Sequence, residues 1–151
     1  MLNIFEKRIL VLTGVLSMLF IFSILYAKTG RRIDVPECLP YNKAYETPKV
    51  TQVDKDLYQV YAVAQMWQFQ PSQIYIPVGS TVDFYLTSKD VVHGFNIFEK
   101  NVNMMAVYGG INKTTVRFDK PGVYKITCHE YCGVGHHNMQ AEVIVNYPLP
   151  K

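Results

Sequence analysis

Twelve residues near the C-terminus carry most of the chemistry open to this chain: Cys128-His129-Glu130-Tyr131-Cys132-Gly133-Val134-Gly135-His136-His137-Asn138-Met139. Two thiols, imidazoles and a thioether in so short a span form a donor set suited to copper, because soft sulfur and imidazole ligands select that metal. A disulfide, or a pair of buried thiols, would account for Cys128 and Cys132 alone. It would leave His136 and Met139 at their short fixed offsets unexplained. Zinc in a closed tetrahedral site would take a set such as Cys2His2 and has no use for Met139. A mononuclear blue-copper site takes one Cys, two His and a weak axial Met, so this loop holds one thiolate in excess. Two thiolates can instead bridge two copper ions, each ion then taking one histidine as its terminal strong ligand. That arrangement needs a histidine from outside the loop. His93, in the turn Lys89-Asp90-Val91-Val92-His93-Gly94-Phe95, begins an expected strand and can approach the loop in a sandwich.

The elements that must place these residues are short β-branched and aromatic runs separated by turn residues: YQVYAVAQMW, QIYIPVG, TVDFYLTS, HGFNIF, MMAVYG, TTVRFDK, GVYKITC and AEVIV, between Tyr58 and Val145. Such runs predict an antiparallel β-sandwich or barrel. Alternation in Thr81-Val82-Asp83-Phe84-Tyr85-Leu86 and in Val123-Tyr124-Lys125-Ile126-Thr127 gives each strand one buried and one wet face. Pro77-Val78-Gly79 and Pro121-Gly122 supply turns between strands. The cysteine loop follows a strand end, where a rigid scaffold commonly presents a site.

The chain has 151 residues, 49 % hydrophobic and 18 % charged, a balance too apolar for disorder and oily for a wholly soluble domain. The excess lies at the front, where Ile9 to Ala27 reads ILVLTGVLSMLFIFSILYA without one charge, the length that roughly 20 residues of helix need to cross a bilayer core. A secretory signal has a shorter apolar region of ~7–15 residues and a small-x-small cleavage site. Ala27-Lys28-Thr29-Gly30 does not supply one, so a retained transmembrane anchor is expected. Lys7 and Arg8 before the run and Lys28, Arg31 and Arg32 after it leave its orientation open by charge count. The polar stretch from Gly30 to Lys55, with Pro36, Pro40 and Pro48, is expected to be a linker. The division is thus 1–29 anchor, 30–55 linker and 56–151 folded domain. Fifteen Lys and Arg against twelve Asp and Glu give a net +3 without a basic stripe, which excludes a nucleic-acid binder. Charges within the folded domain cancel, so a docking face there is expected to be apolar with a polar rim.

The pattern C-x-E-x-C-G-x-x-H-x-x-M, standing here as Cys128, Glu130, Cys132, Gly133, His136 and Met139, with the V-x-H-G-F-like turn at His93, resembles the dinuclear copper A domain of subunit II of haem-copper (cytochrome c) oxidases. The resemblance implies a cupredoxin sandwich in which Cys128 and Cys132 bridge both coppers and His93 and His136 are the terminal ligands. Met139 and the backbone carbonyl of Glu130 are then the weak axial ligands. It also implies that the Glu130 side chain helps hold a magnesium ion at the interface with subunit I, a position where some B-family oxidases carry Gln. The single anchor, the Phe5-Glu6-Lys7 lead-in and Phe69-Gln70-Pro71 before the second strand are similar to ba-type (B-family) oxidases.

A chain of that family would take electrons from a c-type cytochrome and pass them to haem in subunit I, for oxygen reduction coupled to proton pumping. It would sit in the cell membrane as a single-pass protein, its copper domain on the periplasmic or outer side. No acid/base pair converges on a substrate, so the chain has no catalytic residue of its own. A copper A type nitric oxide reductase subunit, a membrane-anchored copper chaperone and a structural zinc domain are the competing readings. By the same resemblance Trp67, the single tryptophan, marks the side where electrons enter; a core tryptophan is the plain alternative. Glu6 corresponds to a glutamate at the cytoplasmic mouth of the proton channel, with a solvated flanking charge as its plain alternative. His129 and His137 are expected to be supporting or surface groups, and Cys38 is given no role.

Overall fold

The apolar run folds as helix α1, Ile4–Thr29. It begins earlier than the uncharged stretch because Asn3 caps it. The Asn3 side chain accepts from the Phe5 and Glu6 amides at 3.0 and 2.9 Å, and the Glu6 carboxylate accepts from the Asn3 amide at 2.6 Å. This reciprocal capping box satisfies donors that a helix start otherwise leaves open. None of its residues is buried, and it is long and apolar enough to cross a membrane. The computed structural model of the protein describes residues 3–30, 37–39, 45 and 47–147, with the backbone alone for 37–39.

The helix and the β-domain are two separate compact units. Among the described residues, eleven strands build the second: β1 (Glu37–Leu39), β2 (Lys49–Asp54), β3 (Leu57–Gln65), β4 (Gln68–Gln70), β5 (Gln73–Pro77), β6 (Ser80–Ser88), β7 (His93–Ile97), β8 (Val102–Ala106), β9 (Ile111–Phe118), β10 (Gly122–Thr127) and β11 (Gln140–Asn146). One sheet runs β1-β9-β6-β3-β2 with β4 beside β3, and the other runs β5-β11-β10-β7-β8. The β-sandwich expected from the alternating runs is therefore present.

Two expectations need correction. The sheets are mixed rather than antiparallel: β3 lies parallel to β6, from Leu57↔Thr81 to Ala64↔Ser88, and β5 lies parallel to β11. The chain leaves the first sheet after β4, crosses to the second as β5 and returns as β6, so β3 and β6 run the same way. The stretch 30–55 expected to be a linker contributes β1 and β2, and β2 pairs antiparallel with β3 from Lys49↔Tyr61 to Asp54↔Leu57. Tyr45 also packs edge-on against Tyr61, their ring centres 5.1 Å apart. β2 is an edge strand exposed on nearly every residue, so its pairing comes from backbone groups and leaves no apolar alternation to read.

Between the sheets, Val82, Phe84 and Leu86 of β6 point inward as the alternation predicts, with Phe69, Phe95 and Phe118 fully buried around them. Phe84 meets Phe95 and Phe118 with ring centres at 5.6 and 6.5 Å. Burying each such ring stabilises the fold by roughly 1.5–3 kcal/mol. This core fixes the ends of β7, β10 and β11 side by side, Thr127 pairing with both Asn96 and Gln140. The loop from 128 to 139 is closed at its base by the Cys128 amide donating to the Met139 carbonyl at 3.1 Å.

Candidate metal centre

His93 opens β7 and is fully buried, because β7 is the neighbour of β10 and the loop folds over its first residue. Within the loop, Gly133 at φ +114° takes a backbone conformation that side chains disfavour, and a short 3-10 turn, His136–Asn138, brings His136 back. The result is a convergence of donors. Cys128 Sγ and Cys132 Sγ are 3.7 Å apart; Cys132 Sγ lies 3.6 Å from His136 Nδ1 and 3.8 Å from Met139 Sδ. Cys128 Sγ lies 3.2 Å from the Glu130 carbonyl oxygen. The ligand atoms of His93, Cys128 and Cys132 all fall within 4.8 Å of one another.

A sulfur separation of 3.7 Å far exceeds the ~2.05 Å of a disulfide, so both cysteines are free. The donor set fits a metal on one further observation. His93 Nδ1 is buried without a hydrogen-bond partner, while its Nε2 lies 2.7 Å from Asp90 Oδ1. An orphaned buried nitrogen is costly unless something binds it. Burial, and then the neighbouring Cys128 thiol, push the Cys132 thiol up to about 11. Cys132 and Met139 are nearly inaccessible, while Cys128 and His136 are half-buried.

Trp67 lies over this loop rather than in the core. It is 45 % exposed, its Nε1–H donates to the Cys132 carbonyl at 3.2 Å, and its ring rests against Gly133 and Gly135, where an added methyl would collide with it. Glu130 turns its carbonyl toward Cys128 and is itself exposed. His129 and His137 are exposed; the His129 ring lies against Gly94, and His137 Nε2 faces Asn138 Nδ2 at 3.0 Å. Glu6 belongs to the helix unit, and Cys38 lies in edge strand β1 opposite Asn112. The sequence reading missed Asp90. Burial alone would raise its carboxyl, but hydrogen bonds from His93 and from the Met66 and Val91 amides outweigh that and hold it below the usual range. Its one sequence signal is its place three residues before His93.

Residues 41–146 match the family profile of the cytochrome c oxidase subunit II periplasmic domain. Cytochrome c oxidase subunit 2 of Thermus thermophilus is 38 % identical over 96 residues, 64 % of this chain and 71 % of that one. The haem-copper oxidase subunit 2 of Aeropyrum pernix is 35 % identical over 91 residues, covering 52 % of this chain and 39 % of that one. Among solved structures, a chain of a haem-copper terminal oxidase dimer is 42 % identical with a TM-score of 0.81, over 93 % of this chain and 99 % of that one. The periplasmic domain of oxidase subunit II from Bradyrhizobium japonicum, 22 % identical, shares the fold with a TM-score of 0.56, over 59 % of this chain and 83 % of that one. A two-sheet cupredoxin-like sandwich that follows a long apolar helix in the chain, with sulfur and imidazole donors at a strand end, fits a single-pass subunit of a haem-copper oxidase complex. The chain belongs to the cytochrome c oxidase subunit II family.

Proposed function

We propose that this chain is the electron-accepting subunit of a terminal cytochrome c oxidase of ba type. It takes electrons one at a time from a c-type cytochrome and hands them to haem in subunit I, where oxygen is reduced and protons are pumped. The observation that carries the reading is the convergence of two cysteine sulfurs, His136 Nδ1, Met139 Sδ, the Glu130 carbonyl and the His93 imidazole on one spot. A pair of copper ions held there supplies a one-electron change shared over both nuclei. Cys128, Cys132, His93 and His136 would hold the pair as its strong donors, and Met139 and the Glu130 carbonyl would add weak donation. The sandwich holds these groups from β7, β10 and β11, so little needs to move when the charge changes. Trp67, exposed above the loop and bonded to the Cys132 carbonyl, offers the donor cytochrome a contact continuous with a bridging cysteine.

The exposed Glu130 carboxylate would help hold magnesium against subunit I. The topology is N-terminus inside with the sandwich on the periplasmic side, which puts Glu6 at the cytoplasmic mouth of a proton path, where an ionisable group at the bilayer boundary gathers protons. Cys132→Ser tests the central reading. The full chain with its oxidase should lose the shared-valence spectrum and electron uptake from reduced cytochrome c, because one remaining thiolate cannot complete the bridge. Two equivalent coppers retained in that variant would reject the assignment.

A further inference from the structure

Among the polar groups around His93, Asp90 belongs to no expected ligand set. It stands in the turn between β6 and β7, and its carboxylate reaches in two directions. Oδ1 lies 2.7 Å from His93 Nε2 and accepts from the Val91 amide at 2.7 Å. Oδ2 accepts from the Met66 amide at 2.7 Å. Met66 immediately precedes Trp67 in the turn between β3 and β4, and the Trp67 indole returns to the Cys132 carbonyl. His93, Asp90, Met66, Trp67 and Cys132 therefore form one chain of contacts from a buried candidate ligand to the exposed aromatic and back to a second ligand.

We infer that Asp90 is a positioning residue that couples the electron-accepting face to the metal centre. Its carboxylate sets the His93 tautomer and at the same time anchors the turn that carries Trp67. The chemistry is local. An ionised carboxylate has only acceptors, so the nitrogen facing it must carry a proton, and the neutral His93 ring is held as the Nε2–H tautomer. Nδ1 is the buried nitrogen left without a partner, so the tautomer that Asp90 imposes is the one able to ligate. The other carboxylate oxygen fixes the Met66 amide, and with it the placement of the indole on Gly133 and Gly135. The inference rests on the copper reading only for what Nδ1 would bind; the tautomer and the turn are properties of the metal-free chain.

The structure distinguishes two substitutions. Asparagine keeps the shape but has one acceptor oxygen for two acceptor positions. Turned one way, its amide presents donors to His93 and Val91 and drives the proton to Nδ1; turned the other, it presents a donor to the Met66 amide and releases the turn. Alanine removes both contacts. The experiment uses the metal-free full chain in detergent, with nitrogen-15 histidine spectra reporting the tautomer and the emission of the single tryptophan reporting the turn. Wild type should show His93 as Nε2–H and a restrained indole. Asp90→Ala should shift both signals, with a mixed tautomer and a red-shifted, more readily quenched emission. Asp90→Asn, which retains the volume if the alanine variant fails to fold, should shift at least one, and Asp90→Glu should restore the Nε2–H form. Variants with the altered tautomer should bind copper about 10–100-fold more weakly. An Asp90→Ala chain that folds with both signals unchanged overturns the inference, and a change in only one overturns the coupling. A wild-type chain that takes up no copper pair, while its variants show both shifts, rejects the copper reading and leaves Asp90 in its role.

Discussion

Each side chain at the centre owes its chemistry to what its second face touches. Met139 is buried with its sulfur 3.8 Å from Cys132 Sγ, and a thioether there would donate weakly to the proposed centre. Met139→Leu conserves volume, so it should cost less than about 1.5 kcal/mol in denaturant titration. It should retain copper and shift the reduction potential measured by redox titration. Trp67→Ala should slow electron uptake from reduced cytochrome c in stopped-flow traces while copper content stays at the wild-type level. An unchanged rate with a lowered melting temperature would make Trp67 a structural residue. Five of the six proposed ligand positions, Cys128, Glu130, Cys132, His136 and Met139, stood out in the sequence because their grouping in one loop has few other uses. His93 needed the further idea that a second imidazole must come from another strand. Asp90 was not legible, since a single acid in a turn has no pattern; only the distance to Nε2 gives it a role.

Strands and loops place these groups more firmly than sequence alternation suggested. The inward rows of β6 and β10 read directly from the chain, because a strand with one wet face alternates with period two. Strand β2 did not, being exposed on nearly every residue, and the parallel pairings did not, because alternation is the same whichever way a neighbour runs. The loop between β10 and β11 is tuned to the indole lying on it. A methyl group at Gly135 would occupy the space of the Trp67 ring. Gly135→Ala should therefore displace the indole, weaken the bond to the Cys132 carbonyl and destabilise the domain by about 1–3 kcal/mol, as overpacking generally does. Melting curves and tryptophan emission check this, and an unchanged emission maximum would show that the ring and loop are not tightly fitted.

In the whole molecule, an apolar helix with an N-terminal carboxylate and a sandwich with a sulfur-rich loop are separate units of one chain. Glu6 already has a local task in the capping box. Glutamine at this position still offers an oxygen to the Asn3 amide. Glu6→Gln therefore preserves the helix start and isolates the charge. In the assembled oxidase it should lower turnover and proton uptake while leaving the copper spectrum and the first electron transfer intact. Full turnover would return Glu6 to capping alone. Metal and fold are linked as well: a ligand that binds the folded chain alone raises its melting temperature, so copper addition should raise that of the wild type and much less that of Cys132→Ser. The most direct measurement counts copper in the purified full chain and records its electron paramagnetic resonance at one-electron reduction. Two coppers per chain with one unpaired electron coupled equally to both nuclei is the predicted result; a single copper, or zinc in its place, would contradict a dinuclear electron relay.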